Sequence, residues 1–438
     1  MKEENKKLLI IAICYLIFVL LLISKYNFNP SSTLLLARPY LPGFSGTLPS
    51  GLVVHEQTGF DGQYYYMMAL NPTLERINIS PHFEQRIIYP ILTIVLSLGV
   101  EELYPFTMLA INYFCVLLSC YILLLLLKKY NANLNLVYLF AFNVGFLLSI
   151  SRDLTELLMM VFVAAGIYYL LHEKHKTGSL FFALALLTRE LVLPLYGAVL
   201  LWFLIKKDFK NFAVYSLAII PFLGWEIILY CQTGAIPILI SYQSISKPIE
   251  GILDYLLKIR YNIFTYIQKP IAVNTSNILK CSAAASKPVA ASGSATASTC
   301  GLVQKWSFNL FTMDDLRTIN KVFSPLPIAI ISILQLIVAS VLYIKNKYVT
   351  KNSLFLFSQA ALILSLTKNF FGDLEIDAVG RYAILLFFFA IIFYAEEKQK
   401  FGKYLKIISL ICMILAITSS ILYFLQTIVF LHPIYYIS

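Results

Sequence analysis

Charge is what this chain has least of: 13% of its 438 residues are Asp, Glu, Lys or Arg, against roughly 25% in soluble domains. The other side of that scarcity is a hydrophobic share of 59% gathered in long runs, which excludes an ordinary soluble domain and sets the class as an all-α polytopic membrane protein. The net charge of +11 does not point to nucleic acid, because Lys and Arg sit in short clusters at the ends of apolar runs, where they orient helices. Seven cysteines show no CxxC or Cys/His ligand spacing, which removes the common zinc and redox motifs. Cys14, Cys115, Cys120 and Cys412 fall inside apolar segments as small hydrophobes. There is also no Gly-rich phosphate loop and no Rossmann-like pattern for a soluble sugar nucleotide.

What is present begins with Met1 to Lys7, which carries Lys2, Lys6 and Lys7, followed by an apolar run from Leu8 to Ser24. The run is long for a signal peptide and lacks a small-x-small cleavage site, so it reads as an uncleaved first span with its N-terminus cytoplasmic. Residues 25–86 then form an external loop. Ile87 to Val100 is apolar but falls short of the roughly 20 residues a crossing needs, so it reads as a juxtamembrane or re-entrant helix. Charge parity supports this. With residues 87–100 not crossing, the clusters at Lys128-Lys129, His172 to Lys176, Lys206 to Lys210, Lys345 to Lys351 and Glu396 to Lys406 all face the cytoplasm. The two short connections left outside hold only Arg152 and Arg381.

The spans expected are 8–24, 106–127, 133–150, 154–171, 211–231, 324–344, 353–370, 380–395 and 406–430. Residues 178–205 add an apolar stretch too long for one helix and too short for two crossings, which reads as two half-length helices meeting near Thr188-Arg189-Glu190. The chain divides into an N-terminal membrane module (1–231), an external loop (232–323) and C-terminal spans (324–438). Within that second loop, Glu250 to Gln268 has helical apolar spacing, and Cys281 to Cys300 brackets an Ala/Ser/Gly-rich low-complexity segment. A disulfide between these two cysteines would contribute roughly 3 kcal/mol in the chain-entropy model; the alternative is two unrelated thiols.

Chemistry concentrates in Gly59-Phe60-Asp61-Gly62-Gln63-Tyr64-Tyr65, which sets a carboxylate between two glycines in the first external loop, and in Arg86-Ile87-Ile88-Tyr89-Pro90 beyond it. Asp61 is a candidate base at a membrane surface, and its bland alternative is a helix cap. Arg152-Asp153-Leu154-Thr155-Glu156 begins a helix with Asp153 and Glu156 one turn apart. Arg189-Glu190 is an ionisable pair at depth, either functional or a structural clamp in which the two neutralise each other or their neighbours. Phe371 to Tyr382 brings acids and Arg381 to the entrance of a late span. These groups put both signs of charge on one rim of an apolar protein.

In order and placement, these elements resemble the GT-C superfamily of polyprenyl-phosphate-sugar-dependent membrane glycosyltransferases, closest to its mannosyltransferase-like members. Phe60 to Tyr65 resembles the aromatic-Asp motif, Arg86 to Leu92 the following Arg-x-x-Tyr-Pro-x-Leu element, Ser151 to Glu156 the second acidic loop, Leu186 to Glu190 the Leu-Thr-Lys/Arg turn, and Arg381-Tyr382 a late Arg-Tyr. Residues 1–230 and that late element carry the match. The resemblance implies a bundle of about nine to eleven transmembrane helices with juxtamembrane helices in the first loop. It also implies an active site on the extracytoplasmic face of a bacterial inner membrane, with Asp61 as catalytic base. Gln63, Tyr64, Tyr65, Arg86, Tyr89, Arg152, Asp153, Glu156, Arg189, Glu190, Arg381 and Tyr382 would bind substrate. The partners implied are a polyprenyl-phosphate-linked sugar donor, a glycan, lipid or protein acceptor, and membrane lipids. The first loop lacks a paired Asp-x-Asp, so a divalent metal ion stays an open possibility. A polysaccharide polymerase or ligase, which would not need Asp61, and a lipid-glycan flippase or transporter, which should show broken helices in both halves, are the alternatives.

Overall fold

The computed structural model describes residues 2–38, 48–55, 59–72, 79–242, 351, 354–355, 358–359, 376–397 and 435–436. It is mostly helical. The helices are α1 (Glu3–Ser24), α2 (Gly62–Leu70), α3 (Pro81–Glu84), α4 (Ile88–Leu96), α5 (Tyr104–Lys129), α6 (Leu136–Ala141), α7 (Val144–Ser151), α8 (Glu156–Leu171), α9 (His175–Thr188), α10 (Leu193–Ile205), α11 (Phe209–Ser216), α12 (Ile220–Thr233), α13 (Pro237–Tyr242) and α14 (Ile376–Glu397). α5, α10 and α12 each start with a proline in the first turn, where its missing N–H is not needed. α12 stops at Gly234, whose φ of +68° forms the left-handed cap.

Among the described residues, three helical stretches are long and apolar enough to cross a membrane: Glu3–Ser24 with 22 residues, Glu101–Lys129 with 29 and Phe209–Thr233 with 25. Glu156–Leu171, Glu190–Ile205 and Ile384–Phe393 are apolar but shorter. Expected spans 324–344, 406–430 and most of 353–370 lie outside the described residues, as do residues 250–268 and the Cys281 and Cys300 pairing. Cys14, Cys115, Cys120 and Cys231 are free thiols.

Lys128 Nζ lies 2.7 Å from Glu4 Oε1, so α5 ends where α1 begins. Between them the chain has therefore turned back, and α5 runs antiparallel to α1. α4 has only nine residues, a rise of about 14 Å. Lys129 Nζ donates to the Leu171 carbonyl at 2.5 Å, bringing the end of α8 to the same end of the bundle. Stretch 178–205 breaks as expected: α9 ends at Thr188, a 3₁₀ turn covers Glu190–Val192, and α10 follows.

Two expectations need correction. Residues 133–150 are not one span but α6 and α7, broken at Phe142-Asn143, because the Asn143 side chain accepts from Phe146 N–H and starts a new helix. Nor is the chain wholly helical. β1 (Leu36–Ala37) pairs in parallel with β2 (Val53–His55), which pairs antiparallel with β3 (Tyr435–Tyr436) through Val53 opposite Tyr436 and Val54 opposite Tyr435. The C-terminal strand thereby meets the first long loop. α8 packs between α5 and α9, and α7 against α14, around one apolar core. The charged site sits at the edge of that core.

Candidate functional site

The glycines around Asp61 are there for space. A Cβ on Gly62 would lie 2.3 Å from the Arg152 carbonyl oxygen, and one on Gly59 would lie 2.4 Å from the Gln63 side chain. α2 can therefore press against the turn between α7 and α8. Gln63 is buried and its Oε1 accepts from Ala37 N–H at 3.1 Å, tying α2 to β1. Asp61 stands at the start of α2, yet its side chain makes no capping hydrogen bond; its backbone carbonyl accepts from Tyr64 N–H at 3.0 Å instead. The capping alternative is thus not what the carboxylate does. Oδ2 lies 2.9 Å from Arg381 Nη1 on α14.

Arg381 Nη1 also lies 3.2 Å from Glu156 Oε1, the first residue of α8. Arg189 Nη1 reaches the same oxygen at 3.1 Å and donates to Thr155 Oγ1 at 3.1 Å. A second arm starts at Arg86, which forks onto Glu190 with Nε to Oε2 at 3.0 Å and Nη2 to Oε1 at 2.6 Å, while its Nη1 donates to Tyr65 OH at 2.8 Å. Arg189 and Glu190 therefore do not neutralise each other but neighbours, Glu156 and Arg86. The backbone at Arg189 is extended (φ −162°, ψ 125°), so neighbouring side chains diverge and each finds a partner on another element. Asp61, Glu156 and Glu190 balance Arg86, Arg189 and Arg381; the Arg86–Glu190 arm has the forked, hydrogen-bonded form that offsets desolvation, whereas the Glu156 carboxylate is held by ion-pair contacts from Arg189 and Arg381 without a hydrogen bond to either oxygen among the described residues.

The Phe60 ring carries two cations: Arg152 at 4.0 Å and Arg381 at 5.0 Å from its centroid. Burial alone would raise the Asp61 carboxyl, but the guanidinium groups of Arg381, Arg86 and Arg189 outweigh it and hold it below its ordinary 3.8. The carboxylate is ionised at neutral pH.

Of the remaining expected substrate contacts, Tyr64 packs against Phe83 with ring centroids 4.2 Å apart and the rings tilted by 32°. Tyr89 is fully buried, donates to the Met108 carbonyl at 3.1 Å and accepts from Asn112 Nδ2 at 2.8 Å. Asp153 is fully buried with Thr33 and Asn112 as its partners. The structure thus gives Gln63, Tyr89 and Asp153 packing positions and not places at the charged rim. The Tyr382 side chain lies outside the described residues. Sequence reasoning missed Thr33, Asn112 and Thr155 as partners, and it missed Glu84 on α3, whose carboxyl burial pushes up to about 7. Short polar residues inside apolar runs are the only signal that could have marked Asn112.

Among the described residues no group of three or more His, Cys, Asp or Glu could hold a metal ion. Asp61 and Glu156 share a guanidinium where a metal site would need them to face a dication. Comparison with known proteins finds no matching family model, no similar curated protein and no matching solved structure.

Proposed function

We propose that this chain is a polytopic membrane glycosyltransferase of the GT-C kind. It would move a sugar from a polyprenyl-phosphate-linked donor to a cell-envelope glycan, lipid or protein acceptor on the extracytoplasmic face of a bacterial inner membrane. One observation carries the reading. The Asp61 side chain is 21% exposed, whereas Arg381, Arg86, Glu156, Arg189 and Glu190 are each 7% exposed or less. A buried, balanced charge network thus has a single open carboxylate, and that carboxylate stands in the first long loop, where the resemblance places the base.

The chemistry follows from the partners. The acceptor oxygen attacks the anomeric carbon, its proton passes to Asp61, and the bond from that carbon to the phosphate oxygen breaks with its electron pair leaving on phosphate. Arg86 and Arg189 are committed to Glu190 and Glu156. Arg381, which bridges Asp61 and Glu156, and the partly exposed Arg152 share the Phe60 ring beside the open carboxylate, and the leaving phosphate is assigned to these two on that proximity. A phosphate that draws Arg381 away from Asp61 also removes the charge that keeps this carboxyl acidic. The base gains strength when the donor is bound.

The test is transfer from a polyprenyl-phosphate-sugar by purified protein. Asp61→Asn, which keeps size, should abolish turnover in a monodisperse protein, because losing general-base assistance costs about a hundred- to ten-thousand-fold. Asp61→Glu should fall between. Wild-type turnover by a folded Asp61→Asn protein would remove the base from the mechanism. The break at Asn143 adds a second interrupted helix, a feature of transporters, so substrate uptake into proteoliposomes is the companion measurement.

A further inference from the structure

Asp153 is the other acid beside this site, and its surroundings differ from those of Asp61. It sits in the turn between α7 and α8 with φ +47°, a left-handed conformation that Asp and Asn tolerate better than most residues. It is fully buried, as are Thr33, Asn112 and Tyr89 around it. Among the described residues its hydrogen-bond partners are two: Thr33 Oγ1 at 2.5 Å from Oδ2 and Asn112 Nδ2 at 3.3 Å from Oδ1. No Lys, Arg or His is among them. Tyr89 on α4 is the titratable group that faces it across Asn112, and its chain neighbour Arg152 carries its guanidinium to Phe60.

Counting protons decides its state. Thr33 Oγ1 lies 2.7 Å from the Pro30 carbonyl and 2.5 Å from Asp153 Oδ2, so it has two acceptors and one hydrogen. If Asp153 were a carboxylate, one of these contacts would set two lone pairs against each other in a sealed site. With a proton on Oδ2, each hydrogen bond in the chain from Pro30 to Met108 has one donor and one acceptor, and Asn112 Oδ1 alone of these atoms has no partner among the described residues. Asp153 donates to Thr33, Thr33 donates to Pro30, Asn112 donates one hydrogen to Asp153 Oδ1 and the other to Tyr89, and Tyr89 donates to Met108.

We propose that Asp153 is a positioning residue that works as a neutral acid, locking the turn that carries Arg152, Thr155 and Glu156 onto the first loop through Thr33. The turn's carbonyl at Arg152 abuts Gly62, beside Asp61, so the lock fixes the approach of α2 to α8. Burial raises the Asp153 carboxyl to about 7, in keeping with a proton retained near neutrality. The folded protein then holds a proton that the unfolded chain releases near 3.8. Between those values stability falls as pH rises. That is the reverse of the behaviour of Asp61.

The idea that the turn serves catalysis rests on the proposed transferase, but the protonation state does not. Infrared difference spectroscopy of the detergent-purified full chain at pH 6 should show a protonated carboxylic C=O component, beside that of Glu84, that is lost in Asp153→Asn and moves to higher frequency in Thr33→Val, which deletes the hydrogen-bond acceptor. The thermal midpoint of Asp153→Asn should fall less between about pH 4 and 7 than that of wild type, the rest of the fall belonging to groups such as Glu84 whose carboxyl burial also raises. Asp153→Asn keeps both the donor and the acceptor of a neutral acid, so it should also keep transfer, unlike Asp61→Asn. A folded Asp153→Asn protein with the acid band unchanged, or with an unchanged pH slope, would overturn the neutral-acid assignment whether or not the chain transfers sugar.

Discussion

Breaking the Arg86–Glu190 fork is the sharpest test of whether the buried charges act as a balanced set. The two side chains are 5% and 2% exposed, and their closest approach is 2.6 Å. At an effective dielectric near 20, unit charges about 3 Å apart attract by roughly 5 to 6 kcal/mol, most of which offsets the desolvation of both ions. Removing one partner leaves the other uncompensated and should cost about 3 to 5 kcal/mol. The two deletions differ in kind. Glu190→Gln strands a guanidinium that cannot shed its charge, though Tyr65 still holds one of its donors. Arg86→Gln strands a carboxylate that can take up a proton, so its penalty should shrink as pH falls, whereas that of Glu190→Gln should not. The double change restores neutrality and places two amides where they can hydrogen-bond, so a coupling of about 2 to 3 kcal/mol is expected. The assay is reversible unfolding of the purified protein in mixed micelles across the four variants at two pH values. Additivity within about 0.5 kcal/mol would refute the pairing.

Two further predictions concern Asp61 and its setting. Gly62→Ala puts a Cβ 2.3 Å from the backbone oxygen of Arg152, so it should lower stability by about 1 to 3 kcal/mol and reduce transfer, while Gly197→Ala, which meets nothing within 4 Å, should be neutral or stabilising in the same unfolding assay. The Asp61 carboxyl is held below 3.8, so its ion pair contributes stability that is fully present above that value and lost as pH falls through the lowered one. Midpoints measured from neutral pH into acid should therefore decline less steeply in Asp61→Asn than in wild type, and equal slopes would show that Arg381 does not hold this carboxylate.

The legible part of the fold was its punctuation. Long apolar runs placed α1 and α5, and the adjacent mid-run charges of Arg189 and Glu190 located the break between α9 and α10, because two charges cannot stay inside a continuous apolar helix without partners. The break at Asn143 stayed hidden for a related reason. A single amide costs too little in hydropathy to interrupt a run, yet its side chain competes with the helix for the Phe146 N–H and wins once α7 packs on α14. The three-stranded sheet could not be read at all, since strands of two or three residues carry no periodicity and β3 lies almost at the other end of the chain.

Site chemistry was legible as residue type and not as state. Asp61 and Asp153 looked equivalent, two acids beside glycine or arginine near the start of a helix, and both were natural candidates for contact with substrate. What separates them is the identity of the third and fourth neighbours, which come from elements far away in sequence. Arg381 arrives at Asp61 from α14, 320 residues later, and keeps it charged. Thr33 and Asn112 arrive at Asp153 from 120 residues before and 41 residues before, bringing hydroxyl and amide but no cation, and the shared hydrogen of Thr33 can be satisfied only by a protonated acid. The turn between α7 and α8 thus joins two carboxyl groups of opposite protonation through a single backbone carbonyl, that of Arg152 against Gly62. A displacement of that turn would move Glu156 away from Arg381 and Arg152 away from Phe60 together. Loss of the Asp153 proton should therefore be felt at Asp61 through geometry and without any direct contact between the two acids.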